Sequence, residues 1–349
     1  MKKKLSIGFH EGEGTGSELI PGAYIFCEIL QKKFPEIELI KIPLLYEGYA
    51  KMNSKSKKIF DDIRKAGGSV LSGAISGDNT YDLRASYKFV YKIVEVNPIP
   101  SQEKFSQLKS EIRDNIDWLL IRHNNGIFTN SKDHWVKKDS IAEWSTSYTY
   151  EELEKISEIC FKLAQKRKKK VTLMVKSKQE SKVIEVWEKA FLAASKKYKD
   201  VEFGILNPDY VAADALVSPE KYDVFFMPDI IGDMMADVFT SLVNGNRNFD
   251  GSANFTFGGF SYYNTLHGAA FDLEGKNLIN PSGTISNLAL MFKYSFDRED
   301  VYDIIKRVLN NVLKKYNSHD CISEKVKSCT TSEMFEELGK ELKKELKIK

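Results

Sequence analysis

No cysteine in this chain stands close enough in sequence to another to share a task with it. The four, Cys27, Cys160, Cys321 and Cys329, form no CxxC pair, which excludes the usual zinc spacing and a disulfide framework. Reduced thiols in a cytoplasmic protein are the expectation. Long hydrophobic runs are missing too, so no membrane span is expected. Met1-Lys2-Lys3-Lys4 has the charge of a signal-peptide start, but the apolar stretch behind it ends at Phe9, before His10 and Glu11, and leaves no export core. There is no internal repeat and no low-complexity segment. An excess of one charge is absent as well. The 52 basic and 49 acidic residues leave +3, too even a balance to point to nucleic acid. The one basic run, Lys166 to Lys170, closes a helical pattern, where cations suit the helix dipole.

What remains is an ordinary globular composition, 42% hydrophobic and 29% charged, on 349 residues. That length can bury a substantial core in two lobes or one large α/β unit. Leu5 to Phe9 reads as a strand. A glycine loop, Gly12-Glu13-Gly14-Thr15-Gly16, and an amphipathic helix from about Glu18 to Leu30 follow. Strand, glycine loop and helix open a βαβ unit, but the third glycine of a dinucleotide fingerprint is not there, so a Rossmann fold is not inferred. Short apolar runs at 69–72, 118–121, 171–175, 201–206 and 223–227 read as buried strands. Helical patterns lie between them at 150–167 and 182–198. Residues 244–260, rich in glycine, asparagine and aromatics, read as a crossing loop, and the chain from Pro281 onward as mostly helical.

The most informative segment is Asp229-Ile230-Ile231-Gly232-Asp233-Met234-Met235-Ala236-Asp237. On a helix, Asp233 and Asp237 share a face one turn apart. Two such carboxylates repel each other unless a positive charge lies between them, and a hard divalent cation, Mg2+ or Mn2+, prefers oxygen ligands. Taken alone, the segment also allows Asp233 to cap a helix and Asp237 to face water.

Several segments together resemble the metal-dependent decarboxylating dehydrogenases of isocitrate and 3-isopropylmalate. Glu11 to Glu18 resembles the family's PGDGxGPE. Gly232-Asp233-Met234-Met235-Ala236-Asp237 resembles GDILSD, and Ser252-Ala253-Asn254 resembles the PSANIG loop. His267-Gly268-Ala269-Ala270-Phe271-Asp272-Leu273-Glu274-Gly275-Lys276 with Asn280-Pro281 resembles HGSAPDIAGK…ANP. The resemblance implies that family's α/β fold, with two lobes around a central cleft. Residues 1–95 and 245–349 would form the large cofactor-binding lobe, and 96–244 a small lobe with the dimer interface and the metal and catalytic residues. It also implies a homodimer with active sites shared between subunits.

By that resemblance Asp233 and Asp237 are metal ligands and Asp209 is the third, contributed by the neighbouring subunit. Lys176 is the catalytic lysine and Tyr148 the acid, with Tyr150 a nearby competitor. At the cofactor, Thr15, His267, Gly268, Ala269, Leu273 and Asn280 make contacts. Asp272 would accept hydrogen bonds from a ribose diol and repel a 2′-phosphate, so NAD is expected. Of the family's three carboxylate-binding arginines, Arg122 matches one. Asn97 takes the place of a second. Either Arg84 or, without a gap, Tyr87 takes the place of the first, with Lys88 and Lys92 near. Lys178 replaces an asparagine after the catalytic lysine. The implied activity is NAD- and Mg2+-dependent oxidative decarboxylation of a 2-hydroxy acid bearing a β-carboxylate, on a non-standard small-molecule substrate. A non-catalytic or regulatory subunit that keeps the fold is the alternative.

Overall fold

The computed structural model describes residues 4–48, 51–75, 77–126, 131–176, 181–246, 249–321 and 326–348. The chain forms two compact units, each made of separate stretches. The first comprises Met1–Thr80, Ile99–Ser106 and Asn244–Lys349; the second, Tyr81–Pro98 and Gln107–Val243. Among the described residues no helix is long and apolar enough to cross a membrane.

In the first unit β1 (Leu5–His10) is buried along its whole length, as a central parallel strand covered on both faces must be. It pairs in parallel with β2 (Ile37–Ile42) and β3 (Ser69–Ser72). Beyond β3 lie β12 (Ser261–Thr265), parallel to it, and β11 (Gly251–Phe255), antiparallel to β12. Residues 251–265 therefore form a hairpin, not the crossing loop expected for this stretch. Its strands are built from Ser, Asn, Gly and aromatics, whose polar side chains bond within the pair: Ser252 Oγ donates to the Asn264 carbonyl at 2.7 Å and Asn254 Nδ2 to Asn264 Oδ1 at 3.1 Å. Helix α1 (Gly16–Lys33) packs against the last helix, α11 (Thr331–Leu346), which opens with a capping box between Thr330 and Glu333. Helix α9 (Ser282–Tyr294) is buried over most of its circumference and forms the centre of this unit's core.

The second unit holds β4 (Tyr91–Val96), antiparallel to β5 (Trp118–His123). Then come β10 (Val224–Met227), β8 (Lys170–Met174) and β9 (Glu202–Leu206), all parallel to β5. Helices α5 (Tyr150–Gln165) and α6 (Lys182–Ser195) pack on each other, and α5 covers β8 and β10. The hairpin of β6 (Ser131–Lys137) and β7 (Ile141–Thr146) exposes Val136, Ile141 and Trp144. The first boundary between units falls after Thr80 and not at 95, because β4 is bonded to β5 along its whole length. The basic run at the end of α5 is held by acids. Arg167 donates to Asp223 and Asp117, each at 2.7 Å, and Lys169 to Asp200 at 3.1 Å.

Candidate active site

The chemistry-bearing side chains of the second unit gather where its parallel strands end, at their carboxyl edge, the usual ligand position in an open parallel sheet. Strand β5 delivers Arg122 there, in register with Met227 of β10. Strand β10 runs through Pro228 into α8 (Asp229–Asn244). Lys176 follows β8, and Asp209 lies in the first turn of α7 (Pro208–Asp214), just after β9. Asp233 is inside α8 and caps nothing, so the capping alternative is removed.

Arg122, whose side chain is 5% exposed, donates from Nη1 to Asp233 Oδ1. The contact depends on Gly232. A Cβ there would stand 2.8 Å from Arg122 Cβ and 2.9 Å from its Cγ, so only glycine lets the arginine stem lie against the helix. Asp237 is half-buried one turn further on. Across the antiparallel pair, Lys92 is the register partner of Arg122. It is buried, and its ammonium interacts with Arg122, Arg84, Asp233 and Asp237. Burial first, then the two guanidinium groups, push its pKa from 10.5 down to about 7, while the two carboxylates oppose that shift. Three cations thus converge on two carboxylates.

Two residues, Arg84 and Tyr87, are open in the sequence for the first arginine position. Arg84, buried at the end of α3 (Gly77–Tyr87), is the one whose charge reaches Lys92. Tyr87 packs its ring against Phe89, centroids 6.1 Å apart. Asn97 does not join the cluster. It lies past the far end of β4, with its amide nitrogen 3.0 Å from Asp117 Oδ1. The residue beside Arg122 is Lys92, five positions earlier. The signal that could have found it is a lysine in the middle of the apolar stretch Tyr91–Val96, whose burial needs a purpose.

Lys176 Nζ donates to Asp209 Oδ1 at 2.9 Å, and that bond holds the Asp209 carboxyl below the ordinary carboxylate range. Among the described residues no group of three acidic, histidine or cysteine side chains is placed to hold a metal. Within one chain, then, Asp209 does not complete a trio with Asp233 and Asp237; it stays with Lys176. Lys178 lies outside the described residues. Tyr148 is half-buried, its ring 5.4 Å from those of both His123 and Trp187. Burial, followed by the Asp229 charge, pushes the phenol's pKa up. The competitor, Tyr150, is exposed at the start of α5.

In the first unit the expected cofactor residues form a tied loop. Ala269 O accepts from Thr15 N at 2.9 Å and Thr15 Oγ1 at 3.2 Å. Glu18 Oε1 accepts from Gly275 N at 2.5 Å. The start of α1 thus holds both ends of 269–275. Asp272 is exposed and Leu273 half-buried. His267 is buried, with Nδ1 2.9 Å from Gly268 O. Asn280 is buried, and both ends of its amide are used internally: Nδ2 donates to Asn317 Oδ1 at 2.7 Å and Oδ1 accepts from Ser282 N at 2.9 Å. Its side chain therefore shapes the loop.

An α/β fold with cationic and acidic side chains at the strands' carboxyl edge and a separate glycine-supported loop is an architecture suited to binding small anionic ligands. The match to known proteins carries this further. Residues 6–338 match the family described as isocitrate/isopropylmalate dehydrogenase, and the chain belongs to that family. It is 28% identical to 3-isopropylmalate dehydrogenase of Prochlorococcus marinus, over 98% of this chain and 100% of that one. It is 31% identical to 3-isopropylmalate dehydrogenase of Buchnera aphidicola subsp. Cinara cedri, over 98% of each. The fold is shared with a crystal structure of isocitrate dehydrogenase from Methylococcus capsulatus, TM-score 0.82 at 18% identity, covering 97% of this chain and 99% of that one. It is shared equally with TT0538 protein from Thermus thermophilus, TM-score 0.82 at 21% identity, covering 97% of this chain and 68% of that one. Family membership makes the chain an oxidoreductase of the hydroxy-acid dehydrogenase type.

Proposed function

We propose that the protein oxidatively decarboxylates a 2-hydroxy acid carrying a β-carboxylate, with NAD and a divalent cation, in a homodimer. The observation that carries this reading is the cluster of Arg84, Lys92 and Arg122 around Asp233 and Asp237. Three cations around two carboxylates leave one positive charge in excess, which suits an anionic substrate. Asp233 and Asp237, one turn apart on a rigid helix, fit two oxygen ligands of Mg2+ or Mn2+, and the exposed Asp272 fits a ribose diol. When bound, the cation would polarise the substrate's hydroxyl and adjacent carboxylate, and NAD would accept the hydride.

The chain's own residues do the rest. Arg84, Lys92 and Arg122 bind and orient the carboxylates. Lys176 passes a proton to Asp209, to which it is bonded, as it takes the hydroxyl proton, and Tyr148 protonates the carbon that loses CO2. Because Asp209 stays with Lys176 and away from the Asp233–Asp237 pair, a second copy supplies Lys176 and Asp209 together to each site. Exposed Met234 and Val238 on α8 and Val136, Ile141 and Trp144 on the hairpin give that copy an apolar surface. Lysine offers a carboxylate a point charge where arginine offers a planar fork, so Lys92 supports a substrate that differs from those of the named relatives. Retention of the lysine, the tyrosine and all three aspartates argues against a non-catalytic subunit.

The test is NADH formation by the purified protein with NAD and Mg2+ on isocitrate, malate, tartrate, 3-isopropylmalate and homoisocitrate, with Asp233→Asn as control. Metal-dependent NADH formation that the control lacks is the expected result. Full activity in Asp233→Asn would overturn the metal assignment, and silence across the panel in a folded protein that binds NAD would favour the non-catalytic alternative.

A further inference from the structure

Glu152 stands in the first turn of α5, where Thr149 caps the helix and its Oγ1 accepts from Glu152 N at 3.4 Å. A glutamate at that position can turn back and close a capping box. Here its carboxylate reaches across to the end of β5 instead. Oε1 accepts from His123 Nε2 at 2.7 Å and from Asn125 Nδ2 at 3.0 Å, and Oε2 accepts from the same amide at 2.9 Å. His123 is buried, its ring 5.4 Å from that of Tyr148 and 5.5 Å from that of Trp187. Its Nδ1 has no hydrogen-bond partner among the described residues, so Nε2 carries the ring's proton and Glu152 is its acceptor. One carboxylate thus ties the first and the third residue after Arg122. Between them Asn124 N donates to Val90 O at 2.9 Å.

We propose that Glu152 is a positioning residue for substrate binding: its carboxylate fixes the residues that follow Arg122 and so holds that guanidinium against Asp233, where a substrate carboxylate would meet it. The reason is strand geometry. Successive side chains of a strand point to opposite faces, so His123 faces α5 when Arg122 faces the other way. Arg122 is the last residue but one of β5, where pairing is about to end and the pleat is least constrained. Fixing His123 on one face fixes the turn of the backbone that aims Arg122 on the other. The aim has little tolerance, because the arginine stem passes Gly232 with no room for a Cβ. Glu152 therefore acts through the sheet, from the face that the substrate does not touch.

The role given to Arg122 as a substrate ligand rests on the proposed function; the hold of Glu152 on the end of β5 does not. The experiment uses the full-length protein and separates the two. Amide hydrogen exchange is followed in the wild type and in Glu152→Ala over residues 122–126, with 170–174 of β8 as the internal reference. Exchange at 122–126 is expected to be at least about tenfold faster in the variant, with 170–174 unchanged. Equal exchange at 122–126 in both proteins, or the same acceleration in both segments, would overturn the proposal. In parallel, kcat and KM are measured with NAD, Mg2+ and whichever acid of the panel turns over fastest. Glu152→Ala is expected to raise KM about tenfold with kcat within about twofold, and to raise it no more than about twofold in an Arg122→Lys background. An unchanged KM, or the same tenfold rise in both backgrounds, would overturn the coupling to Arg122. Absence of turnover in the wild type would remove the proposed function while the exchange arm still decides the hold on β5. If Glu152→Ala does not fold, Asn125→Ala, which removes the bonds to both carboxylate oxygens from the other side, takes its place in both arms.

Discussion

On the proposed function, substrate recognition turns on Lys92. Its ammonium is buried between two guanidinium groups and two carboxylates, where an anionic substrate would meet it. Losing one charge-assisted hydrogen bond costs about 1.5–3 kcal/mol, roughly a tenfold to hundredfold change in binding. Lys92→Met is therefore expected to raise KM for the preferred acid by about that factor with a smaller effect on kcat; an unchanged KM would remove Lys92 from the site. A second residue-scale prediction concerns stability. His10 is buried, bonded to Ser72 Oγ at 2.8 Å and accepting at Nε2 from Leu45 N at 3.2 Å. Burial pushes its pKa from 6.5 down to about 4. A base with a depressed folded pKa gives stability that is fully present above pH 6.5 and is lost as pH falls towards 4, about 3 kcal/mol over that window. His10→Gln is expected to flatten the dependence of Tm on pH between 6.5 and 4. An unchanged slope would show that the acid lability lies elsewhere. Arg122, Asp233, Asp237, Lys176 and Tyr148 come forward in the sequence through the family resemblance, and Lys92 only as a neighbour of the first arginine position; its pairing with Arg122 needs strand register.

At the scale of elements, the parallel strands and long helices were readable from apolar runs and helical periodicity, with ends displaced by one to a few residues. The strand read at 171–175 spans Lys170–Met174, and the helix read at 182–198 spans Lys182–Ser195. The hairpin at 251–265 was not readable, because its strands carry Ser, Asn, Gly and Thr bonded laterally and so lack the apolar alternation that marks a strand. Helix α8 was legible as a helix, but the use of Gly232 was not: its reason is the stem of Arg122, whose own partner Asp233 is 111 positions away in sequence. Gly232→Ala is expected to leave the fold intact, push Arg122 off Asp233 and lower kcat/KM at least about tenfold. Wild-type kinetics in that variant would show that the close approach of Arg122 is dispensable.

For the molecule as a whole, the proposed division of the site between two copies is the point to test. Each chain carries one set of residues around Asp233 and Asp237 and another in the Lys176–Asp209 pair, and among the described residues no three acids in one chain are placed for a metal. On the proposed function, two copies would make two complete sites. The dimer and the division were implied by resemblance alone at the level of sequence, since the contents of a site assembled from two chains leave no local pattern in either. Subunit complementation tests this most directly. Asp233→Asn and Asp209→Asn are each expected to abolish NADH formation. Mixed in equal amounts and allowed to exchange subunits, they should recover about a quarter of wild-type activity. Half of the dimers would then be hybrids, and each hybrid would have one site free of both substitutions. No recovery, in a mixture shown to contain hybrid dimers, would contradict a site shared between subunits.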